Sequence, residues 1–193
     1  LAKMPGDDWQ RMANLRLLLG YQWTFPGKQL LFMGGELGQA EEWNEDRQID
    51  WPLAKGDSPG RGIQSWVRDL NQLYRSEPAL WEADFDEVGF QWVNCNDRDA
   101  SVLSFLRRDK SGAATLLVVI NFTPVLRSDY RVGVPEPGRW EELLNSDAAA
   151  YSGSNLGNDG GRESESQAAD GFGQSLLIEL PPLALVIFRL ANL

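Results

Sequence analysis

The chain is 193 residues long and 42% hydrophobic, enough for a packed core in one or two domains and too apolar for wholesale disorder. Its 28 acidic and 18 basic residues give a formal net charge of -10, which argues against nucleic-acid and anionic-membrane partners, because both need a concentrated positive field. Histidine is absent and Cys95 is the lone cysteine, so His-dependent triads, His-ligated zinc, disulfides and CxxC chemistry are excluded within the chain.

No apolar run reaches the roughly 18 residues needed to span a bilayer, and no signal peptide opens the chain. A start at Leu1 rather than Met fits a fragment or a processed product. Pro5-Gly6 marks a turn, after which Asp7 is an N-cap for a helix over residues 8–23. Trp9, Met12, Leu15 and Leu19 recur at helical spacing, and Pro26-Gly27 stops the helix. Residues 29–33 form a short continuous apolar run, the signature of a strand covered on both faces, as in a parallel barrel. A polar loop follows to about residue 60, then a second helix over 62–75 whose stripe runs from Ile63 through Trp66 and Leu70 to Tyr74.

From Gly89 the period changes from helical to two. Residues 90–93 and 101–106 predict a hairpin around a polar turn, and 114–122 a strongly apolar strand. Shorter strands are expected at 130–134 and 139–144, a long Gly-, Ser- and Asn-rich loop at 152–174, and two closing strands at 176–180 and 183–190. The tail therefore reads as an antiparallel sandwich or small barrel.

Chemistry concentrates in the loop after the apolar run. Glu36, Glu41, Glu42, Asp46 and Asp50 alternate with Trp43, Asn44 and Trp51. Carboxylates and amides accept and donate to sugar hydroxyls, and indoles cover pyranose faces; a solvated acidic loop is the plain alternative. Trp9 beside Asp7 and Asp8, and Trp92 beside Gln91 and Asn94, are further sugar platforms or else core residues. The stretch 153–161 lacks the Lys-Ser/Thr of a phosphate cradle and reads as a surface loop. Asn121-Phe122-Thr123 matches a glycosylation sequon but reads as a strand end, and Cys95 has no accompanying base.

Several runs resemble one family in order along nearly the whole chain. Met4-Pro5-Gly6-Asp7, the run from Pro26 through Phe32-Met33-Gly34-Gly35-Glu36, Glu42-Trp43-Asn44 and Asp50-Trp51 are similar to the last barrel segment of bacterial 1,4-α-glucan (glycogen) branching enzymes, members of the α-amylase superfamily. Val67-Arg68-Asp69-Leu70-Asn71, Asn121-Phe122-Thr123-Pro124, Asp129-Tyr130-Arg131, Leu144-Asn145-Ser146-Asp147, Gly153-Ser154-Asn155 and Leu180-Pro181-Pro182-Leu183-Ala184 resemble the rest of the same family.

The resemblance implies an α+β fragment: the terminal strand and helices of a (β/α)8 barrel over residues 1–84, followed by an all-β antiparallel sandwich domain over 85–193. It places the nucleophile, the acid/base carboxylate and the transition-state His-Asp pair upstream of Leu1, so no residue here is expected to be catalytic and the chain alone is expected to be inactive. Glu36 matches no catalytic motif of the family. The parent reaction it implies needs no cofactor and no metal: a carboxylate cleaves an α-1,4 glucan, and a glucan 6-hydroxyl displaces it with retention. The expected partners are an α-glucan such as glycogen or amylose and the missing N-terminal barrel portion, in the cytoplasm, with Trp9, Asp7, Asp8, Trp92, Glu42 and Trp43 as substrate-binding residues. Another hydrolase of the superfamily, or a non-catalytic glucan-binding or structural module, are the rival readings.

Overall fold

A computed structural model describes residues 1–56 and 58–191. Helix α1, Asp8–Thr24, begins with a capping box: Asp7 accepts the Gln10 amide at 2.8 Å, and the Gln10 side chain accepts the Asp7 amide at 3.0 Å. It ends at Phe25, just ahead of Pro26. Helix α2, Pro59–Ser76, is capped by Ser58 with Pro59 in its first turn, where a missing N–H does no harm. It stops before Pro78.

Eight strands follow: β1 Phe90–Asp97, β2 Val102–Arg108, β3 Thr115–Asn121, β4 Arg127–Val134, β5 Arg139–Asn145, β6 Gly161–Glu163, β7 Gln174–Leu180 and β8 Ala184–Leu190. They make two antiparallel sheets, one of six strands in the order β1-β2-β3-β8-β5-β6 and one of β4 with β7. The strand expected at 114–122 is β3, paired in continuous register with β2 and β8.

The six-stranded sheet is buried on both faces. Leu117, Val119, Val186 and Phe188 point toward β4 and β7 and pack on Val132, Leu176 and Ile178. Leu116, Val118, Leu185 and Ile187 point the other way and pack on Leu17, Leu73 and Leu80 of the helical layer. This is why β3 and β8 carry continuous apolar runs rather than a polar alternation. A third cluster lies between the helices, where Leu15, Leu19 and Trp23 of α1 meet Ile63, Trp66 and Leu70 of α2.

Residues 29–33 are not a strand. A strand needs a neighbour's hydrogen-bond ladder, and among the described residues none pairs with this run. Three of its side chains face outward, Leu30 78% exposed, Phe32 63% and Met33 54%, while Leu31 packs against the cluster between the helices. The stripe residues Leu15 and Leu70 are buried in the cluster between the two helices. The Gly-rich loop is ordered and contains β6. Buried Asn158 ties it down by donating to Glu142 at 2.7 Å and to the Glu179 carbonyl at 3.0 Å. Asn121 of the sequon is likewise buried, donating to the Val125 and Pro181 carbonyls.

Candidate functional site

The segment from Met33 to Trp51 encloses an open cleft of about 460 Å³. Two left-handed glycines, Gly34 at φ 81° and Gly38 at φ 63°, flank the 3₁₀ turn Gly35–Leu37 at the start of this segment. A Cβ at Gly38 would stand 3.0 Å from the end of the Leu15 side chain, close enough that the leucine would have to shift. Leu37 is fully buried and anchors the turn. Beyond it the loop fixes itself by side chain–backbone hydrogen bonds. Gln39 Oε1 accepts the Asp50 amide at 2.7 Å, and Asn44 Oδ1 accepts the Asp46 amide at 2.8 Å. Arg47 bridges to Glu41 at 2.5 Å, and Lys3 to Glu42 at 2.6 Å. The Lys3 hydrogen bond, then its charge, hold the Glu42 carboxyl below the usual carboxylate range.

Trp43 and Trp51 both line this cleft and remain 46% and 54% exposed. Trp43 is steadied edge-on by Phe32, ring centroids 5.6 Å apart at 73°. Asn44, Gln48 and Arg47 line the same cleft and supply amide and guanidinium groups. Flat apolar faces alternating with donors and acceptors are what a carbohydrate presents the complement of, with its C–H faces and its rim of hydroxyls.

Of the residues singled out from sequence, Glu42 and Trp43 lie together in this cleft. Trp9, Asp7 and Asp8 lie together at the start of α1, where Asp7 is committed to the N-cap and Asp8 pairs with Arg11 at 3.3 Å. Trp92 is at the other end of that helix, against Phe25, Phe90 and Phe105 at 6.0, 5.0 and 5.9 Å. The helix between Trp9 and Phe25 spans about 24 Å at roughly 1.5 Å per residue, so Trp9 and Trp92 do not share one platform. Both indoles stay partly exposed, 38% and 39%. Met33, which lines the cleft, and Phe32, which packs edge-on against Trp43, belong to the apolar run whose pattern implies burial. Trp51 was visible as an aromatic among the loop acids, but nothing in the linear order showed that it lines the same cleft as Trp43.

Among the described residues no group of His, Cys, Asp and Glu is arranged to hold a metal ion, and no helix is long and apolar enough to cross a membrane.

The fold is an antiparallel β-sandwich with helices laid on one sheet. Residues 92–191 match the model of the α-amylase C-terminal all-β domain, and the chain belongs to that family. It is 54% identical over 189 residues to the 1,4-alpha-glucan branching enzyme GlgB of Parasynechococcus marenigrum (strain WH8102), a match covering 98% of this chain and 24% of that protein. It is 53% identical to GlgB of Aquifex aeolicus (strain VF5), covering 98% of this chain and 30% of that one. The chain thus spans about a quarter of the length of such curated relatives. The same fold recurs in solved structures of MutB mutants, one from crystals soaked with trehalulose, at a TM-score of 0.54 and 17% identity over 92% of this chain and 38% of that one. Another, in complex with the substrate sucrose, gives 0.53 at 17% identity with the same coverage.

Proposed function

We propose that the chain is the C-terminal, glucan-holding part of a cytoplasmic 1,4-α-glucan branching enzyme, and that the cleft between Trp43 and Trp51 takes a segment of the polymer. The cleft itself carries this reading: two exposed indoles with amide, guanidinium and carboxylate groups lining the same cleft. Identity above 50% to enzymes of that name, across 98% of the chain, supports the assignment of the parent reaction. Trp9 with Asp8, and Trp92, serve as auxiliary stacking points for a long polymer; their partial exposure supports that use. Stacking on one such indole is worth about 1 kcal/mol.

The carboxylates that make and break the glycosyl-enzyme belong to the portion upstream of Leu1. In support, Glu41 and Glu42 of the cleft loop are each taken up by a cation. The outward apolar run of Leu30, Phe32 and Met33 gives that upstream barrel portion a surface to cover. In the whole enzyme one carboxylate attacks the anomeric carbon, the α-1,4 bond breaks, and a 6-hydroxyl of a second glucan segment displaces the carboxylate to give an α-1,6 branch. The purified chain incubated with amylose is expected to form no α-1,6 linkages. Branching above the enzyme-free blank, abolished by Glu36→Gln, would overturn the assignment.

A further inference from the structure

Asp84, just before the β domain, has a side chain only 3% exposed. Its Oδ1 accepts from Arg107 Nη2 at 3.0 Å and from the Gly27 amide at 3.2 Å. Its Oδ2 is buried with no hydrogen bond at all. A buried carboxylate oxygen without a donor is costly, so the nearest cation matters. That cation is Lys28, whose Nζ stands 3.6 Å from Oδ2 and 5.2 Å from the centre of the Phe85 ring. Its stem is largely in solvent, so nothing else fixes it. Three contacts made by consecutive residues, Gly27 and Lys28 on one side and Asp84 and Phe85 on the other, thus meet at one point.

We propose that Lys28 is a positioning residue, clasped between Asp84 and Phe85, through which β2 and the turn after α2 fix the segment that leads into the cleft. Residues 29–33 have no strand ladder, and Met33 lines the cleft. Upstream of them the clasp is the anchor, reinforced where Gln22 Nε2 donates to the Leu30 carbonyl at 2.5 Å and where Leu31 packs against the cluster between the helices. Arg107 passes the constraint inward, since the same guanidinium binds the Thr24 and Leu80 carbonyls at 2.7 and 3.0 Å. The wall of the cleft is then set by the β domain, although no strand contributes to it. The clasp is independent of what the cleft binds; only the sugar arm of its test rests on the glucan reading.

Backbone relaxation of the full chain by NMR tests this, with Lys28→Met, Phe85→Ala and the conservative Lys28→Arg. In Lys28→Met the order parameters of residues 27–33 are expected to fall from about 0.85 toward 0.6, while those of β3 and β8 stay put. Phe85→Ala should give part of the same loss, and Lys28→Arg should restore the rigid values. Maltoheptaose affinity should fall on the order of threefold in Lys28→Met, the scale of one partly screened ion pair. Unchanged order parameters in Lys28→Met, or loosening spread equally over β3 and β8, would overturn the clasp. If the wild-type chain binds no maltoheptaose, the glucan reading fails, and the relaxation data still decide the clasp.

Discussion

Arg107 sits fully buried on β2 and donates to the Gly89 carbonyl at 3.1 Å as well as to Thr24, Leu80 and Asp84. Burial pushes its pKa down, and the hydrogen bond and charge of Asp84 pull it back up. Removing one partner of such a pair strands the other, so Arg107→Met is expected to lose about 3–5 kcal/mol by urea unfolding. Tyr151 offers a milder case. Burial first, then its hydrogen bond to Asp69 at 2.9 Å, raise the phenol above its ordinary value. The folded state therefore holds this proton more tightly than the unfolded one. The stabilisation is full below the unfolded value of about 10 and is lost as pH rises beyond it toward the folded value. Tyr151→Phe should cost about 1 kcal/mol at neutral pH and flatten this alkaline loss, read from melting temperature against pH. Neither role was legible in the sequence. An arginine beside Phe105 in an apolar strand, and a tyrosine in a Gly-Ser loop, show their partners only once distant segments meet.

At the scale of elements, the helices were legible from their period and stop signals, the hairpin from alternation around a polar turn, and the long strands from continuous apolar runs bounded by turns. Asp7 capping and the Pro26 and Pro78 stops sit where propensity puts them. The run at 29–33 misled because a continuous apolar run signals two-sided cover without saying what supplies it. In β3 the cover is present, from β4 and β7 on one face and the helices on the other. Leu117→Ala should accordingly cost about 2–5 kcal/mol, measured by urea unfolding, because its cavity lies in the sandwich core. The loop at 152–174 was read as a surface loop, yet Asp147 organises it by accepting the Ser154 amide at 2.9 Å and the Leu156 amide at 3.3 Å. Gly153 allows that turn, since a Cβ there would fall 2.1 Å from the Asp147 carbonyl oxygen. Gly153→Ala is expected to lower the melting temperature through this backbone clash, by more than the same change at Gly173, where nothing stands within 4 Å of a Cβ and φ is not positive.

The whole molecule is three layers: two helices, a six-stranded sheet and a two-stranded sheet, with the Met33–Trp51 segment laid outside them. The proposed glucan cleft was half legible. The acids and tryptophans of that segment stood out in the sequence, but the folding-back that brings Trp43 and Trp51 to one cleft is a tertiary fact. The layers keep the helices and sheets covered, so the cleft variants test binding without touching the core. Trp43 and Trp51 are exposed, and replacing them should leave the melting temperature nearly unchanged. Titration of maltoheptaose into the purified chain by calorimetry tests the glucan-holding cleft most directly. The account predicts binding that weakens about fivefold or more in each of Trp43→Ala and Trp51→Ala, the scale of one lost stacking contact. No heat of binding, or an affinity that both variants leave unchanged, would contradict it.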